Sequence, residues 1–106
     1  MKKALIVCAG GMSSSLVAKK ATALFQTQGT DIEVAATSIY AGQKEKAIEE
    51  DQFDLYLVSP QTRMYFDNLA KFAHRMAKPI VKIPPQAYVP LPKQTQMLAD
   101  LIEAHI

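Results

Sequence analysis

The chain has 106 residues, of which 49% are hydrophobic and 21% charged, with a formal net charge of +2. That length suits one domain with one core, read here as residues 1–106. The basic residues form only scattered pairs (Lys2-Lys3, Lys19-Lys20, Lys44/Lys46), so no nucleic-acid partner is expected. One cysteine excludes an internal disulfide and a cysteine-only metal site. The two histidines, His74 and His105, lack metal-ligand spacing, so no metal is expected. A reduced, cytosolic compartment fits this cysteine usage.

The first element is an apolar strand, Lys3 to Cys8. Met1 to Cys8 loosely imitates a secretory or lipoprotein start, but its apolar stretch falls short of the roughly 7–15 residues of a signal core. Val7 is also a poor small residue for cleavage before a lipidated cysteine. No segment approaches the ~20 apolar residues of a membrane span, so no membrane insertion is expected.

A helix follows from about Ser13 to Gln28, with Leu16/Val17, Ala21 and Leu24/Phe25 at a period near 3.6. Gly29 is its expected stop. A second strand runs from Ile32 to about Ile39. A short polar helix, Gln43 to Glu50, then leads to a third strand, Phe53 to Val58. The next helix, about Gln61 to Met76, carries a core stripe of Tyr65, Leu69, Phe72 and Met76. The fourth strand is Pro79 to Ile83. Pro84-Pro85 and Pro90/Pro92 stiffen the loop after it and prevent a central strand there. The last helix, about Lys93 to His105, presents Met97/Leu98 and Leu101/Ile102, followed by Ile106.

Strands alternating with helices predict an α/β domain with a parallel sheet. In such a sheet the ligand site lies outside the carboxyl ends of the strands, where the strand order reverses. Three connections reach that rim: Cys8–Ser15, Ser59–Thr62 and Ile83–Pro92. Tyr40-Ala41-Gly42 borders it.

Cys8 is the focus of the chemistry. It ends a strand and precedes Ala9-Gly10-Gly11-Met12-Ser13-Ser14-Ser15 and a helix. The two glycines let the loop turn and aim main-chain N–H donors inward. Ser13, Ser14 and Ser15 can cap the helix or donate hydroxyl hydrogen bonds. A thiolate or phosphoryl group in such a nest is stabilised by several donors and by the helix dipole, and the thiol should ionise easily. The plainer alternative is a small buried hydrophobe beside a Gly-Gly turn.

Cysteine phosphatases carry an arginine six positions after the nucleophile, which clamps the phosphate. Here that position is Ser14, and the Cys8–Ser15 loop contains no arginine. The Ile83–Pro92 loop has no aspartate to protonate a leaving group. Nucleophile and cradle without these parts suit a carrier that keeps its phosphate long enough to hand it on.

At these residues the chain resembles the enzyme IIB subunits of the bacterial phosphoenolpyruvate-dependent sugar phosphotransferase system, of the lactose/cellobiose/diacetylchitobiose type. The matching features are the strand ending in Cys8, the run Ala9 to Leu16, and Ser59-Pro60-Gln61, with Tyr88 a weaker match. The resemblance covers essentially the whole chain. It implies a single open four-stranded parallel sheet of order 2-1-3-4 with helices on both faces, similar in shape to low-molecular-weight tyrosine phosphatases.

The resemblance also implies a function. Cys8 takes phosphate from a phosphohistidine on a IIA protein and passes it to a sugar in a membrane-embedded IIC subunit. The sugar would be a β-linked disaccharide such as cellobiose, chitobiose or lactose. No cofactor is needed, and the protein would be cytoplasmic and peripheral to the transporter. Ala9 to Ser15 would bind the phosphate, with Pro60, Gln61 and Tyr88 in support. The first small residue of Ala9-Gly10-Gly11 and the proline-rich loop stand as departures in detail.

Other residues read more plainly. Arg63 is either an attractor for the phosphorylated donor or a solvated helix charge. His74 sits near the far end of a helix that starts at the rim, about 20 Å away at 1.5 Å per residue, and is rejected as a phosphate relay. His105 is terminal. Met12 suits a contact or packing surface. Two other classes compete with the carrier: a phosphatase or arsenate-reductase-like enzyme, opposed by the missing arginine and second cysteine, and a non-catalytic regulatory module, opposed by an intact Cys8.

Overall fold

A computed structural model describes residues 1–8, 13–37 and 53–106, with the side chains of residues 13, 14 and 61–63 left aside. Four strands, β1 (Lys2–Val7), β2 (Ile32–Thr37), β3 (Leu55–Val58) and β4 (Ile80–Lys82), form one sheet of order β2-β1-β3-β4. All three pairings are parallel, with Val7 opposite both Thr37 and Val58. The expected open parallel sheet and its strand order are therefore observed. β1 and β3 are central and buried on both faces, which is why they read as continuous apolar runs and not as alternating ones.

The helices are α1 (Ser13–Thr27), α2 (Phe66–Arg75) and α3 (Pro92–His105). One core cluster lies between the sheet and α1 and α3; it contains Ala4, Ile6, Leu55 and Leu57 with Val17, Ala21, Phe25, Leu98 and Ile102. The other lies under α2 and contains Leu5, Val7, Tyr56 and Val58 with Leu69 and Ala73. Alternate residues of each strand thus feed opposite cores, as the two-residue period of a strand requires. The short polar helix expected over Gln43 to Glu50 lies outside the described residues, as do Tyr40-Ala41-Gly42 and the end of the second strand at Ile39.

Several boundaries differ from the sequence expectations. The third strand starts at Leu55, because Asp54 interrupts it: its N–H donates to the Lys3 carbonyl while its carboxylate accepts from the Lys3 N–H. The helix expected from Gln61 begins as a 3₁₀ segment, Pro60–Tyr65, and becomes α-helical only at Phe66. Such tightened turns are common at helix starts. The buried seam of α2 is Leu69 and Ala73, four residues apart, with Tyr65, Phe72 and Met76 only partly buried around it. On α3, Met97 points outward and the seam is Thr95, Leu98, Ala99 and Ile102. On α1, Leu16 is likewise exposed. In the Leu16/Val17 and Met97/Leu98 pairs one member faces the core and the other is turned to solvent.

β2 is an edge strand, and α1 covers part of its free edge. The Val34 N–H donates to Thr22 Oγ1 at 2.9 Å, and that hydroxyl lies 3.0 Å from the Val34 and Ala18 carbonyl oxygens.

Helices α1 and α2 end in the same way. At Gly29, with φ +74°, the Thr30 N–H reaches back to the Phe25 carbonyl and the Gly29 N–H to that of Gln26. At Ala77, with φ 56°, the Lys78 N–H reaches Ala73 and the Ala77 N–H reaches His74. These are paired Schellman closures, which need a left-handed residue. Gly29 is the expected stop; Ala77 fills the same role with a Cβ that disfavours the conformation. Opposite effects follow from one cause. Gly29→Ala should lower stability by about 1 kcal/mol, and Ala77→Gly should raise it by about 0.5–1 kcal/mol, net of the looser unfolded chain. Urea unfolding of the two variants checks both signs. Nothing lies within 4 Å of a Cβ built at Gly29, so its effect isolates the backbone.

Candidate functional site at the carboxyl rim

The strand order reverses at β1. The chain leaves it to pair β2 on one side, and β3 occupies the other. The crevice between the carboxyl ends of β1 and β3 is therefore the switch point. Cys8 is the first residue after β1 and Ser59 the first after β3, one step beyond the Val7–Val58 pair. The Ser59 N–H donates to the Val7 carbonyl at 3.1 Å, which extends the ladder and holds the two strand ends together.

Cys8 is 3% exposed and forms no disulfide. Ser59 is fully buried, one of two polar residues so classed among those described. The Tyr88 hydroxyl approaches the Cys8 sulfur at 3.8 Å and donates to it. Tyr88 is 8% exposed and belongs to the core cluster on the α1/α3 side. Its position comes from the proline-rich loop. The Ile83 N–H bonds the Val58 carbonyl, a 3₁₀ turn spans Pro85–Ala87, and the Tyr88 N–H closes onto Pro85.

α1 begins at Ser13, so Ser13, Ser14 and Ser15 form its first turn. The N–H groups of that turn have no carbonyl partner within the helix and carry the positive end of its dipole. Ser15 is exposed. Ala9, Gly10, Gly11 and Met12 lie outside the described residues. Pro60 opens the 3₁₀ segment after β3, and Gln61 and Arg63 follow within it. Pro60 also lines a cavity of about 200 Å³ with Lys82, Ile83, Pro84 and Pro85, on the β4 side of the rim. Lys82 Nζ lies 4.8 Å from the centre of the Phe66 ring, on the α2 face. A hollow of about 250 Å³ between α1 and the start of α3 is lined by Leu24, Thr27 and Thr95 and by Pro90, Leu91 and Pro92 at the end of the loop after β4, and includes neither Cys8 nor Tyr88.

The first turns of α1 and α3 and the 3₁₀ segment after β3 contain no acidic residue. The described surroundings of Cys8 thus hold hydrogen-bond donors and no carboxylate on these elements, a setting that favours an anion. His74 lies in the last turn of α2, next to the connection into the amino end of β4, and so at the opposite end of the sheet from Cys8. His105, exposed in the last turn of α3, has Nδ1 2.9 Å from the Leu101 carbonyl oxygen. Among the described residues no three histidine, cysteine or acidic side chains gather as a metal site, and no helix is long and apolar enough to cross a membrane.

The sequence brings Cys8 and the α1 start to the rim by adjacency alone. It did not single out Ser59 as a buried neighbour of Cys8. The available signal was a polar residue directly after a fully apolar strand. The contact of Tyr88 with Cys8 spans eighty positions and has no local signature.

A search of curated protein sequences returned no match. Two solved structures share the architecture. The lactose-specific IIB component domain from Streptococcus pneumoniae superposes with a TM-score of 0.80 at 21% identity, covering 98% of this chain and 96% of that one. The cellobiose-specific IIB component from Borrelia burgdorferi gives 0.68 at 23% identity, covering 98% and 91%. At these identities the likeness concerns the fold. The family profile described as "PTS system, Lactose/Cellobiose specific IIB subunit" matches residues 3–99. With nearly its whole length matched, the chain belongs to the lactose/cellobiose-specific IIB family, the phosphotransfer components of that type in the sugar phosphotransferase system.

Proposed function

We propose that Cys8 is the phosphoryl carrier of this subunit. In the inward step the N–P bond of a phosphohistidine on a IIA protein breaks, and the Cys8 thiolate forms the S–P bond. In the outward step the S–P bond breaks, and the phosphoryl group joins a hydroxyl of a sugar held by a membrane-embedded IIC subunit. The sugar is a β-linked disaccharide such as cellobiose, chitobiose or lactose. The subunit works in the cytoplasm, peripheral to its transporter, as a single domain without metal or organic cofactor.

The observation that carries this reading is the placement of Cys8. It is the one cysteine of the chain, it follows a central strand directly, and it sits at the reversal of strand order five residues before a helix start. A mid-strand position would suit a packing role; this one suits chemistry. The N–H groups of the first turn of α1, which lack carbonyl partners within the helix, supply fixed donors for phosphoryl oxygens, and Ala9 to Met12 complete the cradle. Pro60 and Gln61 support it from the β3 side. Phosphoryl transfer of this kind needs in-line placement and charge stabilisation more than acid–base groups. The lack of an arginine at Ser14 favours a persistent phosphocysteine over rapid hydrolysis.

The decisive test combines phosphoenolpyruvate, the general phosphotransfer proteins and a matching IIA. Intact mass and peptide mapping should find a single phosphate on Cys8. Cys8→Ser should fold and incorporate none, because a hydroxyl is far less ionised than a thiol at neutral pH. Phosphate on the serine variant, or on another residue of the native chain, would overturn the reading. On the same reading, the helix start and the surrounding donors favour the Cys8 thiolate. The pH midpoint of its alkylation rate should fall below the free-thiol value of about 8.5; a midpoint at or above that value counts against the cradle.

A further inference from the structure

We infer that Tyr88 is a positioning residue whose hydroxyl holds the Cys8 sulfur as an anion and so makes it a better leaving group. This rests on the phosphocysteine reading above and adds the group that governs the direction of transfer.

The Tyr88 hydroxyl lies 3.8 Å from Cys8 Sγ, with both residues buried. A hydrogen bond to a charged acceptor is stronger than one to a neutral acceptor, and more so away from water. The contact therefore favours the state with most charge on sulfur. Sulfur carries that charge as the free thiolate and loses it in the phosphothioester. When the S–P bond breaks, its electron pair stays on sulfur, and the Tyr88 O–H stabilises the thiolate that results. The phosphoryl group leaves to its acceptor, a sugar hydroxyl whose proton passes to water, or in the reverse direction a neutral histidine ring on the IIA protein.

The loop geometry fits a fixed donor. Tyr88 is held at its main chain by the turn through Pro84 and Pro85, at its ring by the core under α1 and α3, and at its hydroxyl by sulfur. Packing alone requires only a phenyl ring there. Among the described residues at the rim turns after β3 and at the end of β4, the charged ones are Arg63 in the 3₁₀ segment and Lys82, whose ammonium sits over Phe66 on the opposite face; the nearest carboxylate in sequence, Asp67, lies further on in the first turn of α2. Neither Pro85–Ala87 nor the first turn of α1 adds a carboxylate.

Tyr88→Phe removes the hydroxyl and keeps the ring. The ultraviolet absorbance of the thiolate, titrated against a Cys8→Ser blank, reports Cys8 alone because the chain has one cysteine. In Tyr88→Phe the ionisation constant of the thiol should fall about tenfold, the size of one charge-assisted hydrogen bond. In a mixture with a matching IIA protein, the equilibrium should move by about the same factor toward phosphocysteine and away from phosphohistidine. A structural role alone would lower the melting temperature and leave both readouts in place. An unchanged titration in folded Tyr88→Phe overturns the inference. If native protein takes up no phosphate while the titration still shifts, the carrier reading fails and the Tyr88–Cys8 interaction stands.

Discussion

The pairing of β1 with β3 sets the frame for everything at the rim. Val7 faces Val58, and the Ser59 N–H closes the ladder onto the Val7 carbonyl. This main-chain bond fixes where the first residue beyond each strand must stand. Cys8 and Ser59 are neighbours because two buried strands end in register, not because either side chain seeks the other. The sheet is parallel, so every connection that leaves this rim starts a crossover, and the chain must turn sharply at once. The thiol is therefore held at the end of a central strand buried on both faces.

The two cores play unequal parts. The cluster under α2 packs Leu69 and Ala73 against Leu5, Val7, Tyr56 and Val58. The cluster under α1 and α3 includes Tyr88, whose hydroxyl reaches the Cys8 sulfur. Packing on that side is thus coupled to the site, since a shift of the loop between β4 and α3 would move the tyrosine. The prolines at 84, 85, 90 and 92 limit how far that loop can relax. They account for the composition that made this loop stand out in the sequence.

Much of the architecture was legible because local signals agreed. The apolar runs of β1 and β3 are continuous, as strands buried on two faces must be, and Gly29 marks the end of α1 by the one conformation it allows cheaply. The parts that were not legible are tertiary. Whether Leu16 or Val17 turns inward, and Met97 or Leu98, depends on the angle at which each helix meets the sheet, which periodicity does not encode. The late start of β3 depends on the Asp54 carboxylate finding Lys3, fifty-one positions away. At the site, adjacency in sequence pointed to Cys8 and the serines of α1. Ser59 and Tyr88 reach Cys8 only through register and loop path.

The Thr22 hydroxyl has a consequence for how this molecule behaves among others like it. A bare outer strand offers its main chain as a template, and a crowded solution supplies strands to fill it. Around Val34 the outward N–H is already engaged and the outward carbonyl is met by the same hydroxyl. An incoming strand would first have to evict a side chain anchored on a packed helix. The fold thereby resists runaway sheet growth at this margin with a single hydroxyl borne on a packed helix.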